Sequence, residues 1–240
     1  MQKIKKPRLS SLTIAIPAYN EEESIGEVIK DILRDGPKYV GDFEVVIIDD
    51  GSTDRTGSIA EGYAGKDKRI RVVHQANAGY GNAMLRGIRE AKKEFVCYMP
   101  ADGQFLVRDM VYCLPHMKSA DLILGARGSR ADYTTYRLIL SFTYLILLRI
   151  LFGITYQDVN WLTIWRTKKV QKLPILSRGI FLLAEIVVRF QKKGYKIVEA
   201  PSFYRPRTGG QVKNAKLSIA MRTFMDTLRF WFTLAVLQRA

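Results

Sequence analysis

The chain has 240 residues, with 48% hydrophobic and 25% charged residues and a formal net charge of +15. This balance excludes wholesale disorder and suits one sizeable core. The charge calls for an anionic partner, whether nucleic acid, a phosphorylated ligand or an anionic membrane surface. Two cysteines, Cys97 and Cys113, make no disulfide framework, so a reducing cytosol is the expected compartment. The basic opening MQKIKKPRLSS lacks the apolar centre of a signal peptide. His74 and His116 lie far apart in sequence, which disfavours a zinc site or a Ser-His-Asp triad.

Taken in chain order, the first half alternates strand and helix patterns. LTIAIP (12–17) reads as a buried strand. NEEESIGEVIKDILRD follows, with acidic residues in its first turn and apolar residues at Ile25, Val28, Ile29, Ile32 and Leu33, the spacing of a helix. FEVVIID is a second strand, and STDRTGSIAEGYA opens a helix with Ser52, Thr53 or Asp54 as cap. IRVVHQ, GYGNAMLRGIREA, EFVCYM and DLILGAR continue as strand, helix, strand and strand. Strands separated by helices make parallel crossover units, so a doubly wound α/β layer is expected to about residue 125. Ligands of such sheets sit beyond the carboxyl ends of the strands. The polar clusters PAYNE, DDGS, PADGQ and GAR all fall there. In PADGQ, Asp102 and Gln104 present two oxygen ligands suited to a hard cation, or they shape a turn.

The second half is more apolar. YTTYRLILSFTYLILLRILFGITY has no charge between Arg137 and Arg149, a stretch too short to span a bilayer. AKLSIAMRTFMDTLRFWFTLAVLQRA repeats the theme. Residues 133–152 and 217–237 are expected as amphipathic helices lying on an anionic membrane, with Arg137, Arg149, Arg222 and Arg229 near the headgroups. Packing against one another, or a dimer seam, would also bury them.

The segments IPAYNEEESI, VVIIDDGSTDRTG, NAGYGNAMLRGI and PADGQF, in this order, resemble the family 2 glycosyltransferases of GT-A fold. Within that family they are similar to the dolichol-phosphate and polyprenyl-phosphate sugar synthases. The likeness extends through GAR, DVNW, LLAEI and PSFYRPRTGGQVK, covering about residues 12–213. It implies a Rossmann-like mixed sheet and an inverting transfer of sugar from a nucleotide sugar to a polyprenyl (dolichyl or undecaprenyl) phosphate. The enzyme would be peripheral on the cytoplasmic face of a membrane. It implies nucleotide-sugar contacts at Pro17, Tyr19, Glu21, Ile48, Asp50, Ala101 and Asp102, and Mg²⁺ or Mn²⁺ held by Asp102 and Gln104. It implies catalytic charges at Asp102, Arg127, Arg207 and Lys213, the last two on a loop closing over the diphosphate. Pro100 stands where the family's Asp-x-Asp signature has its first Asp, and DVNW departs from the usual Asp-x-x-Ser/Cys-Gly-Phe. The expected division is a nucleotide-sugar half at 1–125, an acceptor half at 126–213 and a terminal helix at 214–240.

The sequence supplies no compelling general base. Glu185 and Asp158 are candidates, but a phosphate acceptor is already an oxyanion and needs none. A dinucleotide-dependent oxidoreductase lacks its G-x-G-x-x-G between the first strand and helix. Nucleic-acid binding would use the charge, yet no motif accompanies it, and no nucleic-acid partner is expected. A soluble or polysaccharide hydroxyl acceptor and a non-catalytic nucleotide-sugar binder remain the other readings.

Overall fold

Runs of β-branched and aromatic residues become strands because one pleated face, or both, can be buried. In the computed structural model, which describes residues 11–128, 133–203, 205 and 217–237, they assemble one seven-stranded sheet. The elements are β1 (Leu12–Ala18), α1 (Ile25–Tyr39), β2 (Phe43–Asp49), α2 (Thr56–Ala64), β3 (Ile70–His74), α3 (Tyr80–Glu90) and β4 (Phe95–Tyr98). After 3-10 turns at Val107–Tyr112 and Leu114–His116 come β5 (Leu122–Arg127), α4 (Thr135–Phe152), β6 (Thr163–Arg166), α5 (Thr167–Val170), α6 (Phe181–Lys192), β7 (Ile197–Ser202) and α7 (Leu217–Leu237).

The strand order is β3-β2-β1-β4-β6-β5-β7. β1 to β4 are mutually parallel, β5 and β7 are parallel, and β6 runs antiparallel to both β4 and β5. Six carboxyl ends therefore share one edge, which includes all four polar clusters. The sequence pattern does not single out β6 or β7. Each is short, and β6 follows the irregular DVNW.

Side chains on β1 alternate between two cores. Ile14 and Ile16 pack with Ile25, Ile29 and Ile32 of α1, while Ala15 faces the core built by α3, β5 and α6. The second core is centred on Trp165, Phe181 and Phe190, all fully buried. Gly81, in the first turn of α3, lies hard against the second half of the chain: a Cβ there would lie 2.0 Å from the Arg178 carbonyl oxygen.

α4 and α7 differ from soluble surface helices. Tyr136, Ile139, Phe142, Ile146 and Ile150 form an exposed stripe along α4, while Leu148 is buried. α7 exposes Met221, Phe224, Met225, Trp231 and Phe232, yet it buries Thr223 and Thr227 with Phe230 and Leu234. The two threonine hydroxyls donate to carbonyls of their own helix, Ile219 at 2.8 Å and Thr223 at 2.7 Å. Both helices turn apolar side chains outward. Among the described residues, α4 is also long and apolar enough to cross a membrane by length and composition.

Replacing Gly81 by Ala is expected to lower stability by about 1–3 kcal/mol, since the added methyl meets backbone rather than a side chain able to turn away. A fall in the denaturant midpoint at unchanged slope checks this; an unchanged midpoint would mean that the 178 loop yields freely.

Candidate active site

The loops after β1 and β2 form one interlocked floor. Asn20 adopts a left-handed backbone, φ 53°, which an Asn tolerates better than most residues. Its Oδ1 accepts from Thr53 N at 2.8 Å, and its own N–H donates to Ser52 Oγ at 3.1 Å. Glu21 N donates to Thr56 Oγ1 at 2.8 Å, and Arg55 Nε to Glu22 Oε2 at 3.0 Å. The acidic run after β1 therefore binds the next loop and the start of α2. Tyr19 is exposed at this edge, and Pro17 sits in β1 opposite Ile48. Ile48 is fully buried against Ala83, so its side chain offers packing and no ligand surface.

Asp50 is buried and clamps the loop that leads into α3. Its Oδ1 accepts from Gln75 Nε2 at 2.7 Å and Ala78 N at 2.9 Å, and its Oδ2 from Gly79 N at 2.8 Å. Asp49 beside it bonds His74 Nδ1 at 2.9 Å, while His74 Nε2 meets Glu61 Oε1 at 3.0 Å. Flanked by two carboxylates, His74 has its pKa raised, first by Asp49 and then by Glu61. Sequence distance hid this cluster, because α2 and β3 bring residues 49, 61 and 74 together only in the folded sheet.

After β4, Ala101 is buried in the core and Asp102 is nearly so. Gly103 has φ +73°, and Gln104 N donates to Asp102 Oδ1 at 3.1 Å. That is an Asx turn, the second of the two readings of PADGQ. The Gln104 amide nitrogen donates to the Arg205 carbonyl at 3.0 Å. Among the described residues, no group of three or more His, Cys, Asp or Glu could hold a metal ion. Asp102 and the Gln104 oxygen fit a hard cation only as part of a shell that substrate phosphates and water complete.

Arg127, at the end of β5, is held from three sides. Its Nε lies 2.5 Å from Asp158 Oδ2, its Nη1 donates to Tyr133 Oη at 2.9 Å, and its guanidinium stacks 4.7 Å from the Trp161 ring centroid. Both charges of the pair are buried. Burial works against the Arg127 cation, but Asp158 and Tyr133 together outweigh it and the net shift is upward. Asp158 is thus a positioning carboxylate. Glu185, the other candidate base, is fully buried and accepts from Leu176 N, Ser177 N and Arg189 Nε at 2.9, 2.7 and 2.7 Å. It ties a loop to α6. Arg205 donates through both Nη atoms to the two carboxylate oxygens of Asp109, and Arg207 and Lys213 lie outside the described residues.

These elements border a cavity of about 500 Å³. Asp102, Gln104 and Arg127 lie at the sheet edge; Leu140, Tyr144 and Leu147 of α4 and Ala220 and Phe224 of α7 build apolar walls. Arg137 lines it too, its guanidinium 3.8 Å from the Tyr133 ring centroid.

The family model described as Glycosyl transferase family 2 matches residues 13–178. The chain belongs to glycosyl transferase family 2. This glycosyltransferase is 29% identical to the undecaprenyl-phosphate mannosyltransferase of Micrococcus luteus over 84% of its own length and 86% of the relative's. It is 27% identical to the polyprenol monophosphomannose synthase of Mycolicibacterium smegmatis over 90% and 87%. Identity to the uncharacterized glycosyltransferase EpsJ of Bacillus subtilis is 41%, but over 38% of this chain and only 26% of that protein. The crystal structure of glucosyl-3-phosphoglycerate synthase from Mycobacterium tuberculosis with Mn²⁺, UDP and glucosyl-3-phosphoglycerate superposes with a TM-score of 0.72 at 19% identity, covering 92% of this chain and 80% of that one. This structural neighbour shares the GT-A fold with this glycosyltransferase.

Two expectations follow from the geometry. Asp158→Ala leaves Arg127 buried without its counter-ion and should cost about 3–5 kcal/mol. Adding Arg127→Leu should restore part of that loss, read from the denaturant midpoints of a double-mutant cycle. For His74, the folded state holds the proton more tightly than the unfolded chain. Its contribution is therefore full below the ordinary histidine pKa and disappears as pH rises through the raised folded value. The side chain is half exposed, so the gain should stay under about 1 kcal/mol. His74→Gln should flatten the fall in stability above neutral pH.

Proposed function

We propose that this glycosyltransferase moves a sugar from a nucleoside diphosphate sugar to the phosphate of a polyprenyl lipid at a membrane surface. The observation that carries this reading is the cavity, whose apolar walls come from α4 and α7 and whose polar end holds Asp102 and Arg127. A long isoprenoid tail suits the walls, and its phosphate suits the cationic end. The names of the Micrococcus and Mycolicibacterium relatives support the same acceptor class.

In this reading residues 1–125 hold the nucleotide and 126–213 the acceptor. A lipid phosphate oxygen attacks the anomeric carbon while the bond to the nucleoside diphosphate breaks, so configuration inverts. No side chain has to take a proton, which agrees with the structural engagement of Glu185 and Asp158. Arg127 is pre-oriented toward the charge that develops, and fixed donors of this kind lower the barrier most. Arg207 and Lys213 would add further charge from beyond β7. Asp102 and Gln104 would hold Mg²⁺ or Mn²⁺, which when bound offsets the charge of the departing diphosphate. The outward apolar stripes of α4 and α7, with Arg149, Arg222 and Arg229 exposed on these helices, suit peripheral attachment to the anionic cytoplasmic leaflet.

The deciding experiment incubates the enzyme with a panel of nucleotide sugars, undecaprenyl phosphate in anionic vesicles and Mg²⁺ or Mn²⁺, then analyses the lipids by mass spectrometry. A glycosylated polyprenyl phosphate is expected. Asp102→Asn should lower turnover by about 100-fold or more while the fold survives, and EDTA should act likewise. Full turnover in EDTA would remove the metal, and transfer to a soluble hydroxyl alone would overturn the lipid acceptor.

A further inference from the structure

Two polar atoms of the cavity wall have no role in the account above. Asn160 Oδ1 and Tyr144 Oη are buried, and neither has a partner at full hydrogen-bond distance. The Asn160 side chain is the hydrogen-bonding neighbour of the Tyr144 phenol and favours its charged form, as an amide N–H does, which leaves the Asn160 oxygen and the Tyr144 O–H hydrogen open to a further partner; both side chains line the cavity with Asp102 and Arg127. Buried polar atoms are almost always satisfied in native folds, so an unsatisfied pair inside a ligand cavity calls for an occupant.

The fold explains how the two meet. Thr163 pairs with Tyr98 on one side and with Leu124 on the other. Antiparallel β6 thereby sets the residues before it on the carboxyl edge, between the ends of β4 and β5. Asn160 N donates to Asp158 Oδ1 at 3.1 Å, so the carboxylate that orients Arg127 also fixes the Asn160 backbone. Tyr144 comes from the inward face of α4, one turn before buried Leu148.

The chemistry of the two atoms narrows the occupant. An amide oxygen only accepts; a phenol donates and accepts. A phosphate oxyanion brings no hydrogen to Asn160 Oδ1, and an isoprenoid tail would leave both atoms unsatisfied. Burial raises the Tyr144 pKa, which keeps its proton in place as a donor. A neutral hydroxyl satisfies both at once, giving its hydrogen to Asn160 Oδ1 and accepting one from Tyr144 Oη. We propose that Asn160 and Tyr144 read one hydroxyl of the transferred sugar and so help set which nucleotide hexose the enzyme selects. This rests on the reading above in one respect: with a phosphate acceptor, the donor hexose is the reactant that carries hydroxyls into the cavity. Both are specificity residues, distinct from the charges that stabilise the leaving group.

The test measures donor binding with no acceptor present. UDP, GDP, UDP-glucose, UDP-galactose, UDP-N-acetylglucosamine and GDP-mannose are titrated calorimetrically, with Mg²⁺, into the wild type, Tyr144→Phe and Asn160→Ala. In the wild type, one nucleotide hexose should bind more tightly than its parent nucleoside diphosphate. Each variant should lose about 10-fold or more of that increment, while affinity for the nucleoside diphosphate stays unchanged. Tyr144→Phe should leave the thermal midpoint close to that of the wild type, because the buried hydroxyl it deletes has no partner at full hydrogen-bond distance. The proposal is overturned if both variants keep wild-type discrimination, or if no hexose adds affinity to its nucleotide. Loss of the increment together with transfer to a hydroxyl acceptor would overturn the polyprenyl reading and leave this one standing.

Discussion

One strand running against its neighbours organises this molecule. β6 bonds to β4 on one side and β5 on the other, opposite in direction to both. A parallel strand in that slot would deliver its leading residues to the far edge of the sheet. Reversed, it brings Asp158, Asn160 and Trp161 to the edge where β1, β2, β4 and β5 end. The buried pair of Asp158 with Arg127 and the stacking of Trp161 on Arg127 both depend on this reversal. The ladder hydrogen bonds of β6 thus fix the residues that precede it against the ends of β4 and β5. No flexible loop has to do so.

The buried ion pair shows why such a fixture is needed. Taking Arg127 and Asp158 out of water is costly, and their attraction offsets that cost only in good geometry. The Tyr133 hydroxyl and the Trp161 ring supply the remaining contacts that a buried guanidinium requires. A cation held this way does not reorganise when negative charge appears beside it. The stability invested in the pair is returned as preorganisation at the site.

Much of this was legible in the chain. β1 to β5 and the first three helices follow from apolar period and length, and the polar clusters at strand ends located the ligand edge. The helices at 135–152 and 217–237 appear almost where the apolar runs place them. Other features were not legible, for physical reasons. β6 is four residues long and buried on both faces, so it carries no alternation to detect. Asp50 reads as a ligand residue from its position, yet its carboxylate is occupied by three donors from one loop. Whether Gln104 faces a cation or shapes a turn depends on Arg205, about a hundred residues away in sequence. Arg137 looks like a headgroup anchor in the sequence, and its contact with the Tyr133 ring at the cavity wall emerges only in the fold.

The bond from the Gln104 amide to the Arg205 carbonyl has a mechanical meaning. Arg205 is itself gripped through its guanidinium by Asp109, so the chain leaving β7 is fastened at two points to the segment that follows Asp102. A ligand that reorients Gln104 must break this bond or carry the Arg205 backbone with it. The turn after β4 and the chain at Arg205 are therefore coupled like a crank and its rod.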